Sequence, residues 1–169
     1  AGAGARKAVA VLAAVIGIVF SFASGYSYMM DARTTWNTIT LPLGYMGFGA
    51  ASGLALYLLL AAVKKESVEA IKLAGVETVI GGLLALVLGL ALGFISGAAT
   101  GSAAAVFWVA VVCGGVAPLV CGWLGRSKPA SAVTVAGIAF AGGIIGSIAF
   151  RAVMWMVGTA IANYFGIVL

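Results

Sequence analysis

Long apolar runs alternate with short polar connectors along this chain, and the runs have the length of membrane spans. The first is Ala8 to about Met30. At a rise of about 1.5 Å per residue it reaches across a hydrocarbon core of about 30 Å. Tyr26 to Pro42 (YSYMMDARTTWNTITLP) is the one substantial polar interval, and it gathers Tyr26, Tyr28, Trp36 and Asn37 with a charge pair. Aromatic rings with a polar tip favour the level of the lipid headgroups, so this loop marks a membrane face. Pro42 suits the first turn of a helix, where its missing N–H has no intrahelical partner to lose. A second span is predicted over Pro42–Val63, closed by Lys64, Lys65 and Glu66. Ser67–Gly75 reads as a short interfacial helix with Lys65 and Glu69 at i,i+4 spacing. A third span runs from about Glu77 to Ser96, followed by the uncharged turn Gly97–Ala103. The fourth covers about Ala104–Leu124 with a kink expected at Pro118, and Gly125–Ser131 is a basic turn. The fifth begins near Ala132 and stays apolar almost to Leu169, longer than one untilted crossing.

The connectors orient such a bundle. Five spans place successive connectors on alternate sides. Arg6, Lys7, Lys64, Lys65, Lys72, Arg126 and Lys128 then share one side, seven of the nine basic residues. The positive-inside rule makes that side cytoplasmic, so the Tyr26–Pro42 loop, the Gly97–Ala103 turn and the C-terminus are expected outside. Arg6-Lys7 ahead of Ala8, with Phe22-Ala23-Ser24 as a small-residue site, also fits a cleaved signal peptide. The run onward to Met30 is long enough to span, and the span reading is preferred.

Composition agrees. With 64% hydrophobic residues, 8% charged residues and a mean hydropathy of +1.23, the chain reads as an all-α integral membrane protein, a single bundle of about five transmembrane helices over 1–169. The net charge of +5 sits in the connectors, so nucleic acid is not an expected partner. There is no histidine, and Cys113 and Cys121 lie in one apolar run without a CxxC pair, which leaves no support for a zinc site, a disulfide framework or bis-histidine haem. No glycine-rich phosphate loop or Ser/His/Asp set is present. Gly49/Gly53, Gly89/Gly93/Gly97 and Gly142/Gly146 make smooth stripes for close helix packing, with room beside them for a flat ring or a lipid tail as the sharper reading.

Few residues could carry chemistry. Arg151, an arginine near the end of a span, is either an interface anchor or a functional cation. Asp31 and Arg33 could pair with each other or with a soluble partner. Glu77 is read as a carboxylate favoured at a helix start, and Trp108, Trp123 and Trp155 as belt residues.

The order of these features resembles the C-terminal part of the membrane anchor subunits of dimethyl sulfoxide reductase and related molybdopterin oxidoreductases. In that family an aromatic-rich helix end leads to an outward loop with a Trp-Asn-Thr-like stretch and a Thr-Pro-like helix start. Tyr26/Tyr28, Trp36-Asn37-Thr38 and Leu41-Pro42 are similar. Gly146 to Trp155 resembles the family's final Gly-Glu-x-x-Gly-Arg-x-x-Phe-Tyr-like motif in its glycine, arginine and terminal aromatic, although Ser147 replaces the glutamate and Phe150 the second glycine. The resemblance implies that the chain is the later spans of a longer, multi-pass subunit in the bacterial cytoplasmic (inner) membrane. Such a subunit oxidises menaquinol near the outer face in anaerobic electron transport and docks an iron-sulfur subunit, which feeds a molybdopterin catalytic subunit. No haem or metal is expected in this chain. Arg151, Trp36, Asn37, Tyr26 and Tyr28 are the implied quinol-binding or partner-docking residues. The competing class is a small multi-span transporter or channel, marked by ionisable residues near the midplane or by interrupted helices at matching positions in two halves.

Overall fold

A computed structural model describes residues 3–158, apart from 32 and 34 and the side chains of 3, 6 and 7. Among the described residues all regular structure is helical: α1 (Ala3–Tyr26), α2 (Thr40–Val63), α3 (Val68–Ile95), α4 (Ala104–Val111), a π turn (Val112–Val116), α5 (Ala117–Ser127), a 3-10 turn (Pro129–Ser131) and α6 (Ala132–Gly158). The π turn joins α4 and α5 into one rod, and five helical segments are long and apolar enough to cross a membrane. The expected continuation of the last span to Leu169 lies outside the described residues.

Several boundaries differ from the sequence reading. The first helix stops at Tyr26, short of Met30. Gly25 lies so close to Pro42 at the start of α2 that a Cβ there would run into the proline, so the chain turns where α1 meets α2. Ser67–Gly75 is no separate helix. Ser67 caps α3 by accepting a hydrogen bond from Ala70 N–H at 3.2 Å, and the helix then runs unbroken to Ile95. Nothing between Gly75 and Glu77 removes a backbone donor, and Gly75 packs against Gly122 and Arg126. Lys65 has φ 55° and lies in the turn, so it has no helical i,i+4 relation to Glu69. The N–H groups of Lys65 and Glu66 close α2 on Ala62 O and Ala61 O, a Schellman arrangement with a lysine where glycine is usual.

Pro118 disrupts its helix one turn upstream. It has no N–H to offer the carbonyl of Gly114, and over Val112–Val116 the helix widens to a π turn in which Ala117 N–H bonds Val112 O. At the other end of the bundle, Gly97 takes φ 73° to end α3, and the Gly97–Ala103 connector turns tightly as expected.

The interior is built from small residues. Ala51, Ala55, Ala74, Ala85, Ala136 and Ala139 are fully buried, whereas Phe20, Phe94 and Ile148 are 72%, 65% and 64% exposed. Small residues inside let backbones approach, and large apolar ones outside suit lipid better than water. Gly146 abuts Gly114 of the π turn, Gly142 faces the Cys113 carbonyl, and Gly82 meets Gly115 and Leu119. Of the three glycine stripes, Gly142/Gly146 serves this close packing. Gly89 and Gly93 lie under Phe48 and Phe107, Gly49 meets Ser21 of α1, and Gly53 borders open space. Helix α1 packs chiefly along α2, at the margin of the bundle.

Candidate functional site

The loop between α1 and α2 is held by one buried side chain. Trp36 is 2% exposed and its Nε1–H donates to Met154 O on α6 at 2.9 Å, while the indole packs so closely on Gly158 that a Cβ there would strike it. Thr35 Oγ1 adds a longer bond, 3.3 Å, to Val157 O. The Arg33 guanidinium lies 4.0 Å over the Trp36 ring and 5.8 Å from that of Trp155. Asp31 does not hold Arg33, because its Oδ1 accepts from Asn37 Nδ2 at 2.7 Å across the exposed loop. Arg33 Nη1 is buried without a hydrogen-bond partner among the described residues.

Aromatic rings continue from this loop into the bundle. Trp36 meets Trp155 at 5.2 Å and Tyr28 at 6.0 Å, Tyr28 stacks on Tyr45 at 6.0 Å, and Tyr45 meets Phe150, which stacks on Phe48 at 4.6 Å. The outer three rings come from the loop and the end of α6, and the inner three from α2 and α6. Edge and offset contacts of this kind add to the burial of the rings themselves.

Beside this column lies a cavity of about 300 Å³ bounded by α1, α2 and α6. Its polar wall is Arg151, Tyr45, Ser21, Ser24 and Ser147, and its apolar wall includes Phe20, Phe48 and Ile144. No carboxylate lines it. Phe20, Ile144 and Ile148 in its wall are 72%, 42% and 64% exposed, so the cavity opens through the side of the bundle. Arg151 stands about 10 Å along α6 from Gly158, with its guanidinium 5.5 Å from the Tyr45 ring. Ser52 Oγ and Ser147 Oγ approach to 3.4 Å close by. A second, more apolar cavity of about 350 Å³ lies between α1 and α2, shares Ser21 and Gly49 with the first, and is floored by Gly53. An amphipathic molecule with a flat polar head and an apolar tail has the shape and polarity of these spaces.

The structure separates the residues singled out from sequence. Arg151 heads the groove. Tyr28 and Trp36 join the aromatic column, with Trp36 too buried to touch a partner directly. Asn37 lies on the loop surface, and Tyr26, 59% exposed, stacks on Phe22 of its own helix away from the column. Tyr45, Ser21 and Ser24 were not singled out, and Ser147 and Phe150 only as departures from the family motif, since each reads as an ordinary residue of an apolar span until α1, α2 and α6 are brought together. Glu77 does not open a helix. It lies about 13 Å into α3, half-buried, and Glu69 takes the first turn. No known protein family, characterised protein or solved structure matches the chain.

Proposed function

We propose that the chain is a multi-pass protein of the bacterial cytoplasmic membrane, with the 27–39 loop outward and the lysine-rich α2–α3 turn in the cytoplasm. In this reading it is the membrane anchor of a molybdopterin oxidoreductase and binds menaquinol for oxidation. The observation that carries it is the groove headed by Arg151, which opens sideways among exposed apolar side chains near the loop end. A lipid-soluble quinol would enter from the bilayer, lay its ring against Phe48 and the serines, and place an oxygen near the guanidinium. The second cavity would take the start of its isoprenoid tail. Oxidation releases two electrons and two protons. With no carboxylate in the cavity wall the protons pass to water at the outward face, and the electrons pass to an iron-sulfur subunit docked on that face, where Asp31 and Asn37 are exposed.

Replacing Arg151 with Ala in the native complex is expected to lower quinol oxidation about tenfold or more while the subunits still assemble. Unchanged turnover would leave Arg151 as an interface anchor. Purification of the native protein in mild detergent is expected to bring down molybdenum and iron in stoichiometric amounts, and a metal-free, partner-free protein would reject the anchor reading.

One observation favours a second reading, a small transporter. Glu77 lies about two and a half turns into a candidate span, where a carboxylate commonly serves ion or proton movement. Proton or ion flux in reconstituted vesicles that Glu77→Gln abolishes would establish it, and the absence of flux would remove it.

A further inference from the structure

The hydroxyl groups around the groove have already committed their protons. Ser21 Oγ donates to Gly17 O at 2.9 Å, Ser24 Oγ to Phe20 O at 2.7 Å and Ser147 Oγ to Gly143 O at 2.8 Å. A carbonyl oxygen only accepts, so each of these bonds uses its serine's proton; Ser147 Oγ also stands 3.4 Å from Ser52 Oγ, whose own proton goes to Phe48 O at 2.6 Å. The Tyr45 hydroxyl donates in the same way to Met154 Sδ at 3.4 Å. A hydroxyl has one proton and two lone pairs. What the three serines offer a ligand is therefore acceptor capacity, whereas the Tyr45 oxygen already accepts from Arg151, and Arg151 alone among the polar groups of the wall offers donors.

We infer that the groove prefers the reduced, hydroxyl-bearing form of its ligand to the oxidised, carbonyl-bearing form. The inference rests on the quinol reading above and adds a redox preference to it. A quinol ring carries two O–H donors that match serine lone pairs, and an oxygen that accepts from Arg151. A quinone carries only acceptors. It satisfies Arg151 equally well, but meets the serines lone pair to lone pair unless a serine rotates and gives up its bond to the preceding turn. Loss of the two protons and two electrons on oxidation removes the donors that hold the ring, so the product leaves more readily than the substrate. Each matched hydroxyl shifts the preference by roughly threefold to tenfold.

The test is anaerobic titration calorimetry on the native full-length protein in lipid nanodiscs, using a short-tailed naphthoquinone and the same molecule reduced to its quinol. The quinol is expected to bind at least about threefold tighter. Ser147→Ala and Ser24→Ala are each expected to bring the ratio towards one, by weakening the quinol and leaving the quinone nearly unchanged. Serine to alanine on a helix removes one oxygen and keeps the helix, so both variants are suited to the comparison. Equal affinity for the two forms, tighter quinone binding, or a ratio that neither substitution changes would overturn the inference while the quinol reading stands. Failure of both forms to bind the unsubstituted protein would overturn that reading and the inference with it.

Discussion

The two sides of this bundle follow opposite packing rules. Where α3, the α4–α5 rod and α6 meet, glycine stands against backbone: Gly146 on Gly114, Gly82 on Leu119, and Gly75 beside Gly122. On the α1 side Gly25 meets Pro42 at the loop end, but beyond that contact the helices leave two cavities, Gly53 faces open space, and only 6% of the first span is buried against 39% of each of the others. Both sides are rich in glycine and equally apolar, so composition does not distinguish them. What differs is whether a neighbouring backbone fills the place of the missing Cβ. Close approach fills one side, and its absence leaves cavities on the other.

The same substitution breaks this comparison in opposite directions. Gly146→Ala places a methyl into the Gly114 backbone, which has no side chain to move aside, and is expected to destabilise the protein by about 3 kcal/mol. Gly53→Ala enters open space and gains helix propensity, so it is expected to stabilise by up to about 1 kcal/mol. Reversible unfolding in mixed detergent micelles reads both, and equal effects of one sign would dissolve the distinction between the two sides.

The loop end depends on an anchor of yet larger size. Trp36→Ala removes a buried ring and leaves Met154 O without its side-chain donor, with an expected loss of about 3–5 kcal/mol in the same assay. Proteolysis between 27 and 39 should accelerate in parallel; retained protection would show that the loop is held by other contacts. A smaller effect is expected at Thr78, which is fully buried and donates to Leu54 O at 3.0 Å and Ala74 O at 2.8 Å. Thr78→Val keeps the shape and loses the link between α2 and α3, at about 0.6 kcal/mol, the average for interhelical bonds in membrane proteins. A stabilising change lies outside both regions. Lys65→Gly relieves a left-handed backbone at φ 55° and is expected to stabilise by up to about 1 kcal/mol, measured by the same unfolding transition.

Much of the fold was legible because the constraint is one-dimensional. Apolar length alone located the five candidate spans, and the turns at Lys64–Glu66 and Gly97–Ala103 followed from charge and glycine, whereas the turn expected over Gly125–Ser131 is shorter, because α5 continues to Ser127. Boundaries were less legible. Gly75 and Val76 offered a plausible break, yet a helix continues wherever its donors remain and a neighbour covers it, and Gly122 and Arg126 cover this one. Pro118 signalled a disturbance but not its form, because relaxation into a π turn depends on the glycines that precede it and on α6 lying close by.

The candidate site was legible only in its charge. Arg151 is conspicuous in an apolar run, and Trp36 in a polar loop, but sequence cannot tell a buried anchor from an exposed contact. Trp36 proved to be the anchor. Asp31 and Arg33, two residues apart, invited pairing, whereas the loop turns Asp31 to Asn37 and lays Arg33 over Trp36.

By itself the sequence determined the all-helical character, the number of long apolar segments and most of the places where the chain turns. These follow from the free energy of transferring each segment between water and an apolar phase, a local sum over its residues. The tertiary structure alone decided which glycines are filled and which are open, and that Arg151, Tyr45 and three serines from three helices face one cavity. Those outcomes depend on the rotation and crossing of helices far apart in sequence, which hydropathy does not encode because every face of these helices is apolar.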